Sequence, residues 1–160
     1  MRVISFNANG IRSAARKGFF DWLATADADF VCIQETKAQY HQLEADETFS
    51  PKPYFCEYVD AEKKGYSGVA IYARHKPHSI LTSFGFGRSD IEGRYIQFDY
   101  EKLSVISIYL PSGTSGDIRQ QFKYEYLDAF SEHLKNLHAS GRQYIICGDY
   151  NIAHNNIDIK

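Results

Sequence analysis

Asp149 and Asn151 stand two residues apart in Gly148-Asp149-Tyr150-Asn151, directly after the apolar run Tyr144-Ile145-Ile146-Cys147. In an extended stretch that spacing points both side chains the same way. The carboxylate can then handle a proton while the amide donates to a phosphate oxygen. The competing reading is an Asx turn that does no more than end the strand. Glu35 follows a second apolar run, Phe30-Val31-Cys32-Ile33, within Gln34-Glu35-Thr36-Lys37. A carboxylate there offers the hard oxygen that Mg²⁺ takes alongside waters and substrate phosphate. The alternative is a surface Glu capping a following helix. Asn7 and Asn9 follow a third run, and Tyr109 closes a fourth before Pro111-Ser112-Gly113. Asn7 alone is better explained by a local turn, and Tyr109 is equally well an aromatic at the edge of the core. Lys37, Arg94, Arg119 and Lys123 could supply a positive field for a phosphodiester backbone or be ordinary solvated charge.

Other chemistries are poorly supplied. His41, His75, His78, His133 and His138 form no ligand-like cluster, so zinc is not expected. His154 is a polar loop residue beside Asp149. Cys32, Cys56 and Cys147 make an odd count without metal-like spacing, and Cys32 and Cys147 sit in apolar runs as buried thiols.

The candidate groups share one property: they lie at the ends of predicted strands, where a rigid scaffold holds functional loops. Apolar runs predict strands at 3–6 and 30–33. Between them, Ser13 is the expected N-cap of a helix over 14–24, whose stripe is Phe19, Phe20 and Leu23. That is a βαβ unit with parallel strands. Further strands are predicted at 54–59, 67–72, 78–84, 95–98 and 103–110, punctuated by Gly and Pro, with residues 99–102 as a hairpin connection. The middle should therefore be largely antiparallel. Asp117 and Gln120 form a capping-box pattern opening a helix that Gly141 ends. A buried strand at 144–147 follows. The expected class is α/β with a mixed sheet and helices on at least one face.

At 160 residues the chain is one domain's worth of sequence. Its 18 Lys plus Arg against 20 Asp plus Glu give a net charge of -2, which excludes a simple polycation but not a local basic face for nucleic acid. No apolar run approaches the ~18 residues a membrane span needs. The first residues carry no signal-peptide core, so cytoplasm is the expected compartment.

Taken in order, the motifs resemble the exodeoxyribonuclease III branch of the apurinic/apyrimidinic endonucleases, within the endonuclease/exonuclease/phosphatase superfamily. They are Ser5-Phe6-Asn7-Ala8-Asn9-Gly10-Ile11-Arg12, Gln34-Glu35-Thr36-Lys37, Gly65-Tyr66-Ser67-Gly68-Val69-Ala70-Ile71-Tyr72, Glu92-Gly93-Arg94, Tyr109-Leu110-Pro111-Ser112-Gly113 and Gly148-Asp149-Tyr150-Asn151-Ile152-Ala153-His154. The resemblance implies a four-layer, DNase I-like α/β sandwich with two mixed sheets. It implies a Mg²⁺-dependent phosphodiesterase (Mn²⁺ as a substitute) acting on double-stranded DNA at abasic sites and 3′ ends. A monomeric, cytoplasmic, nucleoid-associated DNA-repair enzyme of a bacterium is expected, with no membrane partner.

By the same resemblance Glu35 is the principal metal ligand, supported by Asn7, with Asn9 and Asp149 as lesser candidates. Tyr109, Asp149 and Asn151 act on the scissile phosphate, the water and the leaving oxygen. Asn7, Lys37, Arg94 and Arg119 contact phosphate. The family's Ser-Asp-His motif, which carries the base, has no counterpart in this sequence. The chain is therefore expected to be the N-terminal three-fifths of a single domain, an incomplete sandwich lacking its partner sheet. It should be weak or inactive alone and able to associate through an exposed sheet face. The alternatives are another DNase I-like phosphoesterase, or a non-catalytic fragment that acts with a partner chain.

Overall fold

Two four-stranded sheets pack face to face with helices outside. The computed structural model describes residues 1–113, 116–153, 155 and 157. In chain order the strands and α-helices are β1 (Val3–Asn7), α1 (Ile11–Arg16), α2 (Phe19–Thr25), β2 (Phe30–Gln34), β3 (Phe55–Val59), β4 (Val69–Ala73), β5 (Ser79–Leu81), α3 (Gly87–Asp90), β6 (Tyr95–Asp99), β7 (Leu103–Tyr109), α4 (Asp117–Ala139) and β8 (Gln143–Asp149), with short 3-10 turns at Tyr40–Gln42 and Glu47–Phe49. The first sheet runs β1-β2-β4-β3 and the second β5-β6-β7-β8. β1–β2 and β7–β8 are parallel, and every other pairing is antiparallel. The βαβ opening and the antiparallel middle thus stand as the sequence predicts.

The two-residue period of a strand explains the layers. In β2, Val31 and Ile33 face outward to Phe19 and Leu23 of α2, while Phe30 and Cys32 face inward. The inward set meets Val69, Ile71 and Ala73 of β4 and Ile96, Phe98 and Val105 of the other sheet. On the far side Tyr95, Ile106 and Ile108 pack beneath Tyr126, Phe130 and Leu137 of α4. The apolar runs of β2 and β4 have no polar alternation because both faces are buried.

Several expectations need correction. The partner sheet is present, and its contact with the first sheet covers the face expected to lie bare. What stays half-exposed is the edge strands of the two sheets, β1 and β3 in the first and β5 and β8 in the second. The single helix over 14–24 is two. Gly18 adopts φ 84, a left-handed value open to glycine, and breaks the helical path between α1 and α2. Ser13 lies inside α1, whose N-cap is Gly10. Asp117 is the first helical residue of α4, after an N-cap at Gly116, and makes no capping bond. The strand predicted over 78–84 contracts to β5, because Gly85 and the aromatic pair Phe84 and Phe86 turn away to cover Tyr126.

Candidate active site

The carboxyl ends of β1, β2, β7 and β8 come together at one rim of the sandwich. Parallel register sets Asn7 beside Gln34 and Tyr109 beside Asp149. Each pair continues the inward-facing side of its own sheet. Below them Gln34 Nε2 donates to Ser107 Oγ at 3.0 Å, and Ser107 Oγ donates to the Ile33 carbonyl at 3.0 Å. Both side chains are buried, so this polar link ties the two sheets directly under the rim.

Two matched turns aim the groups above it. Asn7 Oδ1 accepts the Asn9 N–H at 2.9 Å, and Asp149 Oδ1 accepts the Asn151 N–H at 3.1 Å. Asn9 and Asn151 both have left-handed φ, 43 and 49, a conformation that asparagine tolerates. With one end of each side chain held by its own turn, the other ends meet. Asn7 Nδ2 donates to Asp149 Oδ2 at 2.8 Å and to Glu35 Oε1 at 2.8 Å. The two carboxylates therefore lie within twice that distance of each other. The local-turn reading of Asn7 and Asp149 is realised, and the same turns bring Asn7, Glu35 and Asp149 together.

Glu35 reaches this meeting point from a strained backbone. Glu35 and Lys37 have φ 54 and 47, which side chains of this size adopt at a cost of about 1–3 kcal/mol. Bonds on both flanks hold the segment: Gly10 N–H to Glu35 O and Lys37 N–H to Ser67 O, each 2.8 Å. No helix follows directly, so Glu35 is not a helix cap. Lys37 Nζ sits 2.6 Å from Glu35 Oε2 and donates to Asn9 Oδ1 at 2.5 Å. Burial pushes the Glu35 carboxyl up, but hydrogen bonds from Asn7 and Lys37 and the Lys37 charge outweigh it, holding the group below its ordinary value. The Tyr109 hydroxyl faces Glu35. Burial, then the Glu35 charge, pushes its phenol up to about 12. At neutral pH Glu35 is an anion and Tyr109 a proton donor.

Other predicted residues stand elsewhere. Asn151 Nδ2 donates to the Leu110 carbonyl at 2.9 Å, and its own carbonyl accepts from Lys123 Nζ at 2.6 Å. The left-handed turn at Asn151 swings its amide back toward the end of β7, so it does not project beside Asp149 as an extended stretch would require. Arg94 is not on the rim: its side chain is 1% exposed, under Tyr109 and Tyr66. Arg119 is partly exposed and bound to Glu92 and Tyr66. His154 lies outside the described residues. Sequence reasoning assigned no role to Tyr66, Glu92, Gln34 or Ser107. The available signals were that Gln34, Tyr66 and Glu92 lie within the motifs of the resemblance, whereas Ser107 lies in none.

No group of three or more His, Cys, Asp or Glu side chains that could hold a metal occurs among the described residues. Mg²⁺ does not need one, because it takes one or two protein carboxylates and completes its shell with waters and phosphate. Glu35 and Asp149 are two carboxylates bridged by Asn7, and Glu35 also pairs with the Lys37 ammonium. A groove of about 480 Å³, lined by Phe6, Asn7, Asn9, Lys17, Phe19 and Trp22, leads away from the rim.

Comparison with known proteins gives a consistent result. The Endonuclease/Exonuclease/phosphatase family profile matches residues 4–160. An exodeoxyribonuclease of Bacillus subtilis is 35% identical over the whole of this chain, which covers 62% of that protein. A DNA-(apurinic or apyrimidinic site) endonuclease of Dictyostelium discoideum is 33% identical, again over the whole chain and 44% of its own length. The structure of an AP endonuclease from Archaeoglobus fulgidus superposes with a TM-score of 0.83 at 25% identity, over 100% of this chain and 61% of that one. The chain thus spans about three-fifths or less of the length of these relatives.

Proposed function

The chain belongs to the Endonuclease/Exonuclease/phosphatase family, and from that premise we propose that it carries the metal- and phosphate-binding part of a Mg²⁺-dependent DNA phosphodiesterase of repair. Its substrate is duplex DNA at abasic sites and 3′ ends. The observation that carries this reading is the convergence of Glu35 and Asp149 on the single amide nitrogen of Asn7, with the Tyr109 hydroxyl facing Glu35. The relatives' names supply the substrate class.

Hydrolysing a phosphodiester requires neutralised nonbridging oxygens, an oriented water and a protonated leaving oxygen. Glu35 and Asn7 would hold Mg²⁺, with Asp149 beside them. When bound, the ion supplies Lewis-acid polarisation of the phosphoryl oxygen. Tyr109, protonated at neutral pH, donates a hydrogen bond to a nonbridging oxygen as charge grows there. Asp149 is held at both oxygens by Asn7 and Asn151, an orientation suited to aligning water or returning a proton to the leaving oxygen. Lys37 supplies positive charge for the phosphate backbone. No Ser-Asp-His motif is present to act as base, so slow or absent turnover by this chain alone is part of the proposal.

The test uses the 160-residue chain with a fluorescent abasic duplex, an intact duplex and a phospholipid headgroup substrate, with Mg²⁺ or EDTA. Mg²⁺-dependent binding of the abasic duplex, lost in Glu35→Gln, is expected whether or not turnover is seen. Preference for the phospholipid headgroup would support another DNase I-like phosphoesterase. Absence of both Mg²⁺ and abasic-duplex binding would overturn the reading.

A further inference from the structure

We propose that Arg94 is the positioning residue for Tyr109 and makes no contact with DNA. The two are joined by three contacts. Arg94 precedes β6 and Tyr109 ends the antiparallel β7, so Tyr109 N–H donates to the Arg94 carbonyl at 2.9 Å. Arg94 Nη1 returns a bond to the Tyr109 carbonyl at 2.9 Å. The guanidinium carbon lies 4.8 Å from the Tyr109 ring centroid, within cation–π range. Burial of the Arg94 side chain seals the contact from water.

The guanidinium is fixed in turn. Nε donates to Glu92 Oε2 at 2.6 Å and Nη2 to the Tyr66 hydroxyl at 2.8 Å. All three nitrogens are thus engaged within the protein, and the side chain is 1% exposed. Arg119 closes the arrangement from the first turn of α4, with Nη1 on Glu92 Oε1 at 2.8 Å and Nη2 on the Tyr66 hydroxyl at 2.5 Å. A planar fork engaged on every nitrogen cannot slide, so the Tyr109 ring resting against it cannot slide either. Lysine keeps the charge but not the fork.

The consequence for chemistry rests on the phosphodiesterase reading. A hydroxyl that must meet a phosphate oxygen loses about 100-fold in rate when displaced by about 1 Å. Arg94 would therefore act on kcat through Tyr109, whereas a DNA contact would act on KM.

The test labels tyrosine rings with ¹³C in the 160-residue chain and assigns Tyr109 by its loss in Tyr109→Phe. In Arg94→Met the Tyr109 ring signals should shift and ring flipping should accelerate. Arg94→Lys should recover only part of the shift. Tyr66→Phe, which removes one anchor of the fork, should move the same signals the same way by less. An ion pair with only a structural role would lower stability but leave the Tyr109 signals of the folded protein in place. Where the parent chain turns over abasic duplex with Mg²⁺ at a measurable rate, kcat of Arg94→Met should fall about 10–100-fold with KM within about twofold. Unchanged Tyr109 signals in folded Arg94→Met overturn the proposal, as does a raised KM at constant kcat. If Arg94→Met does not fold, Tyr66→Phe decides by the same criterion. The NMR result holds or fails without turnover, so failure of the phosphodiesterase reading is distinguishable from failure of this one.

Discussion

Asn7 Nδ2 lies 2.8 Å from Asp149 Oδ2, joining the end of β1 to the end of β8 across 142 positions of sequence. The same nitrogen holds Glu35. One amide thus separates two carboxylates that would otherwise repel, at a rim where the two sheets meet. Removing it should release both.

Asn7→Ala should therefore weaken Mg²⁺ binding and abolish Mg²⁺-dependent retention of abasic duplex. It should cost about 1–2 kcal/mol of stability, because three hydrogen bonds are lost but Asn7 is exposed and water can replace them. Isothermal calorimetry with Mg²⁺ and urea denaturation on one sample check both halves. A large stability loss with unchanged Mg²⁺ affinity would mark Asn7 as structural only.

Lys37 tests the electrostatics from the other direction. Its ammonium occupies Glu35 Oε2 at 2.6 Å and so competes with a metal for that oxygen. Lys37→Ala should bind Mg²⁺ more tightly and DNA more weakly. If Lys37 also meets a backbone phosphate, the slope of log K against log salt should fall by about 1. Fluorescence anisotropy across a salt series measures it, and an unchanged slope would confine Lys37 to the metal site.

Much of this site was legible in the sequence, and the limits have physical causes. Asn7, Glu35, Tyr109 and Asp149 could be found because strand ends are marked by apolar runs that stop. Their mutual distances could not, since the meeting joins two sheets through no local pattern. Asn151 was misdirected because spacing reads as extended unless a left-handed φ is known, and asparagine permits either. Arg94 was read as a phosphate contact or a solvated charge, because composition cannot say that Glu92, Tyr66 and Tyr109 would bury it. The second sheet was expected to be missing because the chain is shorter than its relatives, yet β5 to β8 were all foreshadowed by their own apolar runs.

Gly148 is paired with Ile108 in the parallel β7–β8 ladder. A Cβ there would fall 2.4 Å from Ile108 Cγ2 and 2.5 Å from the Ile108 carbonyl oxygen. Gly148→Ala must push β8 away from β7, at about 1–3 kcal/mol for overpacking. At about 2–4 °C per kcal/mol for a chain of this size, Tm should fall by about 2–12 °C. The displaced strand carries Asp149, so Mg²⁺ affinity should fall as well. Calorimetry that finds an unchanged Tm would mean the ladder can yield without cost.

Glu92 gives a pH test apart from the metal site. Burial pushes its carboxyl up, but hydrogen bonds from Arg119 and the charge of Arg94 outweigh it, and the net position is below the ordinary value. A group depressed in the folded state contributes stability that is complete above its unfolded pKa of about 4.3. That contribution is lost as pH falls through the folded value. Glu92→Gln keeps the shape but leaves the buried Arg94 guanidinium without its counter-ion. At pH 7 it should cost about 2–3 kcal/mol, somewhat below the range for breaking a fully buried pair because Glu92 is partly exposed. The parent should then lose stability between about pH 5 and pH 3 faster than the variant, so that their urea midpoints converge in acid. Midpoints that stay equally far apart across that range would show that Glu92 acts through packing and not through its charge.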